Sequence, residues 1–237
     1  MEKDLAELIE KRDAPFKLGE TAKSFISEMW LEKEHGYREP MESQETLKGK
    51  LCEQDSVRLV SKKFPAEFRR INKQNFKNAF FTGTPDIILE SINKIEDVKT
   101  CWSIKTYNKV KDLDPLYFGQ GQIYMDILSE VYGKPFYDFA VHYCLVDTPP
   151  QMVSDLKSRF FYKYGNDTEN EHYLEACEQI DRNHVVSHLP VNVRIKTFEF
   201  ERNKKYIAEL KRRIPAAREF YKSQVLGGFV KKITWGE

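Results

Sequence analysis

The feature that most limits how this chain folds is a change in apolar period near residue 84. Before it, apolar residues recur at helical spacing. Leu5, Leu8 and Ile9 do so over 2–12, Phe25, Ile26, Met29 and Trp30 over 19–34, and Leu51, Val57, Leu59 and Val60 over 46–63. After it, Thr84-Pro85-Asp86-Ile87-Ile88-Leu89-Glu90 has the composition of a strand, Ser91-Ile92-Asn93-Lys94 that of a turn, and Ile95 to Ser103 that of the return strand. A hairpin set among helices excludes an all-helical bundle. The remaining chain reads as a helix over 115–132, an apolar strand over 138–146, a polar and aromatic helical stretch over 151–183, an alternating strand over 191–200, and a long helix from 202 to about 224, bent at Pro215. The expected class is α/β (α+β), with a mixed central sheet flanked by helices.

Bulk properties act mainly by exclusion. With 237 residues and 41% hydrophobic content the chain can bury a full single-domain core. Lys+Arg is 38 and Asp+Glu 37, so a uniformly basic nucleic-acid coat and an acidic tail are both excluded. No apolar run approaches the length of a membrane span, and the charged N-terminus lacks the apolar region of a secretory signal. Cys52, Cys101, Cys144 and Cys177 are scattered, as expected of reduced thiols in a cytoplasmic protein. There is no phosphate-binding glycine loop and no nucleophile elbow. His184 and His188 lie four apart but lack the order of a zinc motif, so zinc is not expected.

Chemistry concentrates in the hairpin. Side chains alternate faces along a strand, so Asp97 and Lys99 project together and Val98 points away. Asp86 begins the preceding strand, so two carboxylates and a lysine converge. Paired hard carboxylates suit Mg²⁺ or Mn²⁺. Such an ion activates water and neutralises a phosphodiester, and a neighbouring lysine orients the attacking water. Downstream, Gln120 and Tyr124 are four apart in the 115–132 helix and share a face that can point back at the hairpin. Each match alone also fits an ordinary surface hairpin or helix; their order along the chain is the stronger signal.

Together, Glu53, Gly83-x-Pro85-Asp86, Asp97-x-Lys99 and Gln120-x-x-x-Tyr124 resemble the PD-(D/E)xK nuclease superfamily, in its lambda-exonuclease-like and RecB-like branch. The resemblance covers about 45–147 and includes the ending over 191–224. It implies one nuclease domain with a restriction-endonuclease-like core and a helical extension over 1–44. It further implies an Mg²⁺-dependent deoxyribonuclease, with Mn²⁺ as a substitute, serving recombination or repair. Exonuclease action is the leading expectation; an endonuclease, or a non-catalytic DNA-binding protein on the same fold, stays open. In this family reading Asp86, Asp97 and the Val98 carbonyl bind metal and Glu53 from the preceding helix adds a ligand. Asp55 is the weaker substitute. Lys99 positions water, and Gln120 and Tyr124 contact DNA or brace the site. Relatives with an iron–sulfur cluster carry clustered cysteines; none cluster here, so no such cluster is expected. Arg38 and Ser43 precede the Glu53 helix without forming a convincing 5′-phosphate motif. A single-strand annealing or recombination protein and a homo-oligomer are the partners the family suggests, with no membrane.

Local charge is segregated. Over 62–77, Lys62, Lys63, Arg69, Arg70, Lys73 and Lys77 face only Glu67, interleaved with Phe64, Phe68 and Phe76 and followed by Phe80 and Phe81. Arg69, Arg70 and Lys73 are therefore candidate DNA contacts. Over 202–222 the cations again exceed the acids, as a DNA contact or a solvated helix face.

Overall fold

The computed structural model describes residues 17–37 and 43–224. The expected helix over 2–12 and Arg38 lie outside the described residues. The elements are α1 (Glu20–His35), α2 (Gln44–Lys63), β1 (Phe76–Lys77), β2 (Thr82–Gly83), β3 (Ile87–Leu89), β4 (Lys94–Thr100), α3 (Ile104–Lys109), α4 (Pro115–Val131), β5 (Asp138–Cys144), α5 (Pro150–Lys163), α6 (Glu171–His184), β6 (Ile195–Glu201) and α7 (Lys204–Lys222). The chain divides into two compact units, one over 41–207 and one formed by residues up to 40 and from 208 onward.

The larger unit is built on a four-stranded mixed sheet in the order β3-β4-β5-β6. β3 and β4 form the antiparallel hairpin, with Ile87 opposite Glu96 and the positive-φ residue Asn93 in its turn. β4 and β5 run parallel, Asp97 beside Val141, and β6 returns antiparallel to β5. Parallel neighbours need a crossover, and α3 and α4 supply it. Asp114 starts α4 by accepting a hydrogen bond from the Leu116 N–H, and Pro115 sits where its missing N–H costs nothing. The single helical stretch expected over 151–183 is two helices, parted at Gly165 (φ 84°) and restarted where Asn170 caps α6.

Strand parity divides the core. On one face Val98, Cys144 and Ile195 join Cys52, Val57 and Val60 of α2. On the other, α4 packs on Phe139 and Phe200, and Gly121 lets it approach: a Cβ there would stand 2.6 Å from Phe200 and 2.8 Å from Phe139. The side chain of Gln122 is fully buried, donating to the Glu201 carbonyl at 2.9 Å and accepting from the Asn203 N–H at 2.7 Å.

Mid-strand β4 also buries charge. Glu96 is 1% exposed and receives Arg69 through both carboxylate oxygens, at 2.6 and 3.0 Å. Burial would push its carboxyl up, but His142 and Arg69 hold it down at about 2. Arg69 additionally donates to the carbonyls of Phe64 and Glu67, so its guanidinium fastens the 64–69 segment to the back of β4. This corrects the expectation of a DNA contact at Arg69: its side chain is 4% exposed and committed to Glu96. Phe64, Phe76 and Phe81 likewise pack into the protein, leaving Phe68 and Phe80 exposed.

In the smaller unit, Ser27 of α1 donates to Gln224 at 2.8 Å and Tyr221 to Glu34 at 2.7 Å. α7 runs through Pro215 as one helix. Three of its cations are paired within the helix, Arg212 and Arg213 both at 2.9 Å from Glu209 and Lys222 at 3.0 Å from Glu219, which favours the solvated-face reading for them.

Breaking one member of a buried pair strands the other charge. Arg69→Ala is therefore expected to cost about 3–5 kcal/mol, read by urea unfolding, whereas Arg70→Ala at an exposed position is expected to change stability little.

Candidate active site

The hairpin register places Asp86 one residue beyond the Ile87–Glu96 pair, at the level of Asp97. The Val98 N–H donates to Asp86 Oδ2 at 2.9 Å, which locks the half-buried Asp86 carboxylate against β4. Asp97 is 1% exposed. The Lys99 ammonium stands 2.7 Å from its Oδ2 as an ion pair, and Oδ1 accepts no hydrogen bond. The expected trio of Asp86, Asp97 and Lys99 is thus brought together.

The electrostatics follow from that crowding. Burial, then the neighbouring charge of Asp86, pushes the Asp97 carboxyl well above the usual carboxylate range, against the pull of Lys99. Burial would lower the Lys99 ammonium, but Asp97 and Asp86 hold its pKa above the ordinary value, so it stays protonated. Glu53 on α2 is half-buried and is pushed up first by burial and then by Asp86, with Lys73 and Lys99 opposing. It therefore belongs to the same field. Asp55 does not: it is exposed and paired with Arg58 at 3.0 Å.

The QxxxY pair also reaches the site. Gln120 donates from Nε2 to Tyr124 Oη at 2.8 Å. Burial raises the Tyr124 phenol, with Asp97 and Asp86 adding to the shift. The Tyr124 ring lies against Gly83, where any Cβ would collide with it. Gly83 is thus the residue that lets β2 pass the aromatic ring beside the hairpin. Sequence reasoning missed Tyr117, whose ring carries the Lys99 ammonium 4.5 Å from its centroid. The signal was present: Asp114-Pro115 marks the helix start and puts Tyr117 one turn before Gln120.

Of the remaining sequence-derived candidates, Arg70 and Lys73 line a groove of about 610 Å³ together with Glu53 and the α2 cations Lys50 and Lys62. Arg70 and Lys73 are exposed. Ser43 is the cap of α2, accepting the Thr46 N–H at 3.2 Å. His184 bonds through Nδ1 with Thr148 Oγ1 at 3.0 Å and packs on Trp102.

A divalent cation fits the donors. Asp97 offers a buried carboxylate paired only with Lys99, Asp86 a second carboxylate, and both are hard ligands. Among the described residues no three His, Cys, Asp or Glu side chains form one tight metal cluster, so Glu53 stands at the margin of the carboxylate pair. A carboxylate whose folded-state pKa is raised stabilises the fold below its unfolded value, near 3.9, and that contribution is lost as pH rises through the folded value. Metal-free protein is therefore expected to lose stability from about pH 4 upward. Asp97→Asn should flatten that loss and gain about 1–3 kcal/mol at pH 8, measured by thermal denaturation in chelator.

No protein-family description matches the chain, and no curated protein sequence matches it significantly. Solved structures do resemble it. A phage-related exonuclease from Haemophilus somnus 129PT superposes with a TM-score of 0.65 at 23% identity, over 86% of this chain and 82% of that one. An alkaline exonuclease (LHK-Exo) from Laribacter hongkongensis gives 0.55 at 11% identity, over 88% and 83%. The LHK-Exo complex with dAMP gives 0.53 at 14%, over 85% and 80%. At these identities the likeness is one of architecture: the chain has the fold of the phage-related and alkaline exonucleases.

Proposed function

We propose that the protein is a divalent-metal-dependent deoxyribonuclease, an exonuclease acting on linear DNA in recombination or repair. The observation that carries this reading is the buried Asp97 beside the second carboxylate of Asp86, both in the field of one protonated lysine, Lys99. Two neighbouring carboxylates that share one ammonium leave that face short of positive charge. The fold shared with exonucleases supports the same conclusion.

Asp86 and Asp97, with the Val98 carbonyl between Asp97 and Lys99 in the chain, would hold Mg²⁺, and Glu53 would complete the ligand set from α2. When bound, the ion supplies Lewis-acid neutralisation of the scissile phosphate and acidifies a coordinated water. The protein's own groups do the rest. Lys99 is fixed between Asp97 and the face of Tyr117, so its ammonium is aimed rather than mobile. Being protonated, it orients the attacking water and offsets charge on the pentacovalent phosphorus instead of taking a proton. Gln120 and Tyr124 brace β2 and the hairpin through their mutual hydrogen bond. Arg70 and Lys73 meet the DNA backbone along the groove that includes Glu53. Arg69 supports the site from behind β4.

The test pairs end-labelled linear duplex with closed circular DNA in Mg²⁺ or Mn²⁺. Release of nucleotides from linear ends only is expected. Asp86→Ala, Asp97→Ala and Lys99→Ala should each lower the rate by at least about 100-fold. Cutting of circles would instead assign an endonuclease. No cleavage by wild type, or rates unchanged in these variants, would remove the catalytic reading.

A further inference from the structure

A second cavity, of about 580 Å³, lies apart from the carboxylates, between α3, α5 and α6. It gives a role to the 150–184 region, which the hairpin chemistry does not use. Its walls include Trp102, Phe160, Tyr164 and His172, and Lys105 and Lys109 line it from α3. Three of the rings form a series: Phe160 and Tyr164 are stacked 6.2 Å apart at 24°, and Tyr164 meets His172 at 5.8 Å. Glu175 and Gln179, one turn apart on α6, complete a polar edge.

The platform is held in place before any ligand arrives. The Trp102 indole meets His184 edge-on at 4.8 Å. The Trp102 carbonyl accepts a hydrogen bond at 2.9 Å from Lys48, which is fully buried. The cavity shares one wall residue, Lys109, with a neighbouring cleft of about 460 Å³ that includes Lys111 and Tyr117. Tyr117 is the ring under the Lys99 ammonium. Aromatic and cationic groups therefore line both clefts between Lys99 and Trp102, with Asp112 and Asp114 among them.

We propose that this cavity receives an unpaired nucleobase of single-stranded DNA next to the cleavage site, stacked among Trp102, Phe160 and Tyr164, with Lys105 and Lys109 on the flanking phosphates. The proposal rests on the nuclease reading for its choice of DNA. Alternating ring faces and cations suit single strands, because every base has a π-face and every nucleotide a charge. The volume suits one nucleotide. Glu175 and Gln179, exposed at the rim, offer polar groups to the amino or amide edge of a base.

The test uses the full-length protein in chelator, which prevents cleavage, and an oligodeoxynucleotide carrying 5-iododeoxyuridine. Photo-cross-links mapped by peptide mass spectrometry are expected at Trp102, Phe160, Tyr164 or His172. An oligonucleotide of abasic units is expected to bind about tenfold more weakly than the normal strand, as is the normal strand to Tyr164→Ala. Hydrolysis of bis(p-nitrophenyl) phosphate, an ester without a nucleobase, by the wild-type protein in Mg²⁺ reads the cleavage chemistry separately. Cross-links confined to other segments, or equal affinity for normal and abasic strands, would overturn the proposal. Both of those readouts use wild-type protein and so decide the matter even if Tyr164→Ala fails to fold. Base-dependent cross-linking at the cavity in a protein that cleaves neither ester nor DNA would remove the nuclease reading and leave the base site standing.

Discussion

Two adjacent carboxylates on β4, both 1% exposed, set the terms for everything around them. Glu96 and Asp97 are neighbours, so strand parity sends them to opposite faces of the sheet. Each buried charge requires a counter-charge or leaves the fold destabilised. On the Glu96 face the requirement is met internally by the two-point Arg69 pair, with His142 nearby. On the Asp97 face it is met only in part by Lys99, and the presence of Asp86 works against it. One face is thus fully compensated and the other is held short of a positive charge. That asymmetry gives the sheet both a rigid back and a cation-seeking front.

The helices follow from the same division. α2 packs its apolar side beneath Val98 and Cys144 and carries Glu53 toward the carboxylates. α4 comes close on the other face because Gly121 offers no Cβ to Phe139 and Phe200. From that position one helix delivers Tyr117 to Lys99 and Tyr124 to Gly83, while Gln122 fixes the junction of β6 and α7. A single crossover helix therefore packs the core, orients the lysine and braces the hairpin. Substitutions on it will seldom affect only one of these roles.

Much of this was legible in the sequence, because the signals are local. Alternation between Ile95 and Thr100, the turn at Asn93 and the Asp114-Pro115 start place the hairpin and α4, and with them Asp86, Asp97, Lys99 and Tyr124. What was not legible depends on pairing between distant segments. Arg69 reads as one cation of a basic run; only Glu96, 27 residues away, reveals it as a structural counter-ion. Phe64, Phe76 and Phe81 read as stacking candidates, yet lie in a segment whose side chains turn inward without a regular period. The division of 151–183 into α5 and α6, and the cavity they form with α3, leaves no periodic trace either. In both cases composition was visible and direction was not.

The central claim is that the Asp97 face lacks a positive charge that a divalent cation supplies. Calorimetric titration of Mn²⁺ into chelator-stripped protein at pH 8 addresses it without relying on catalysis. Saturable binding is expected in the wild type, and its loss in both Asp86→Asn and Asp97→Asn, with each variant folded. Absence of binding in the wild type, or binding undiminished in Asp97→Asn, would contradict it.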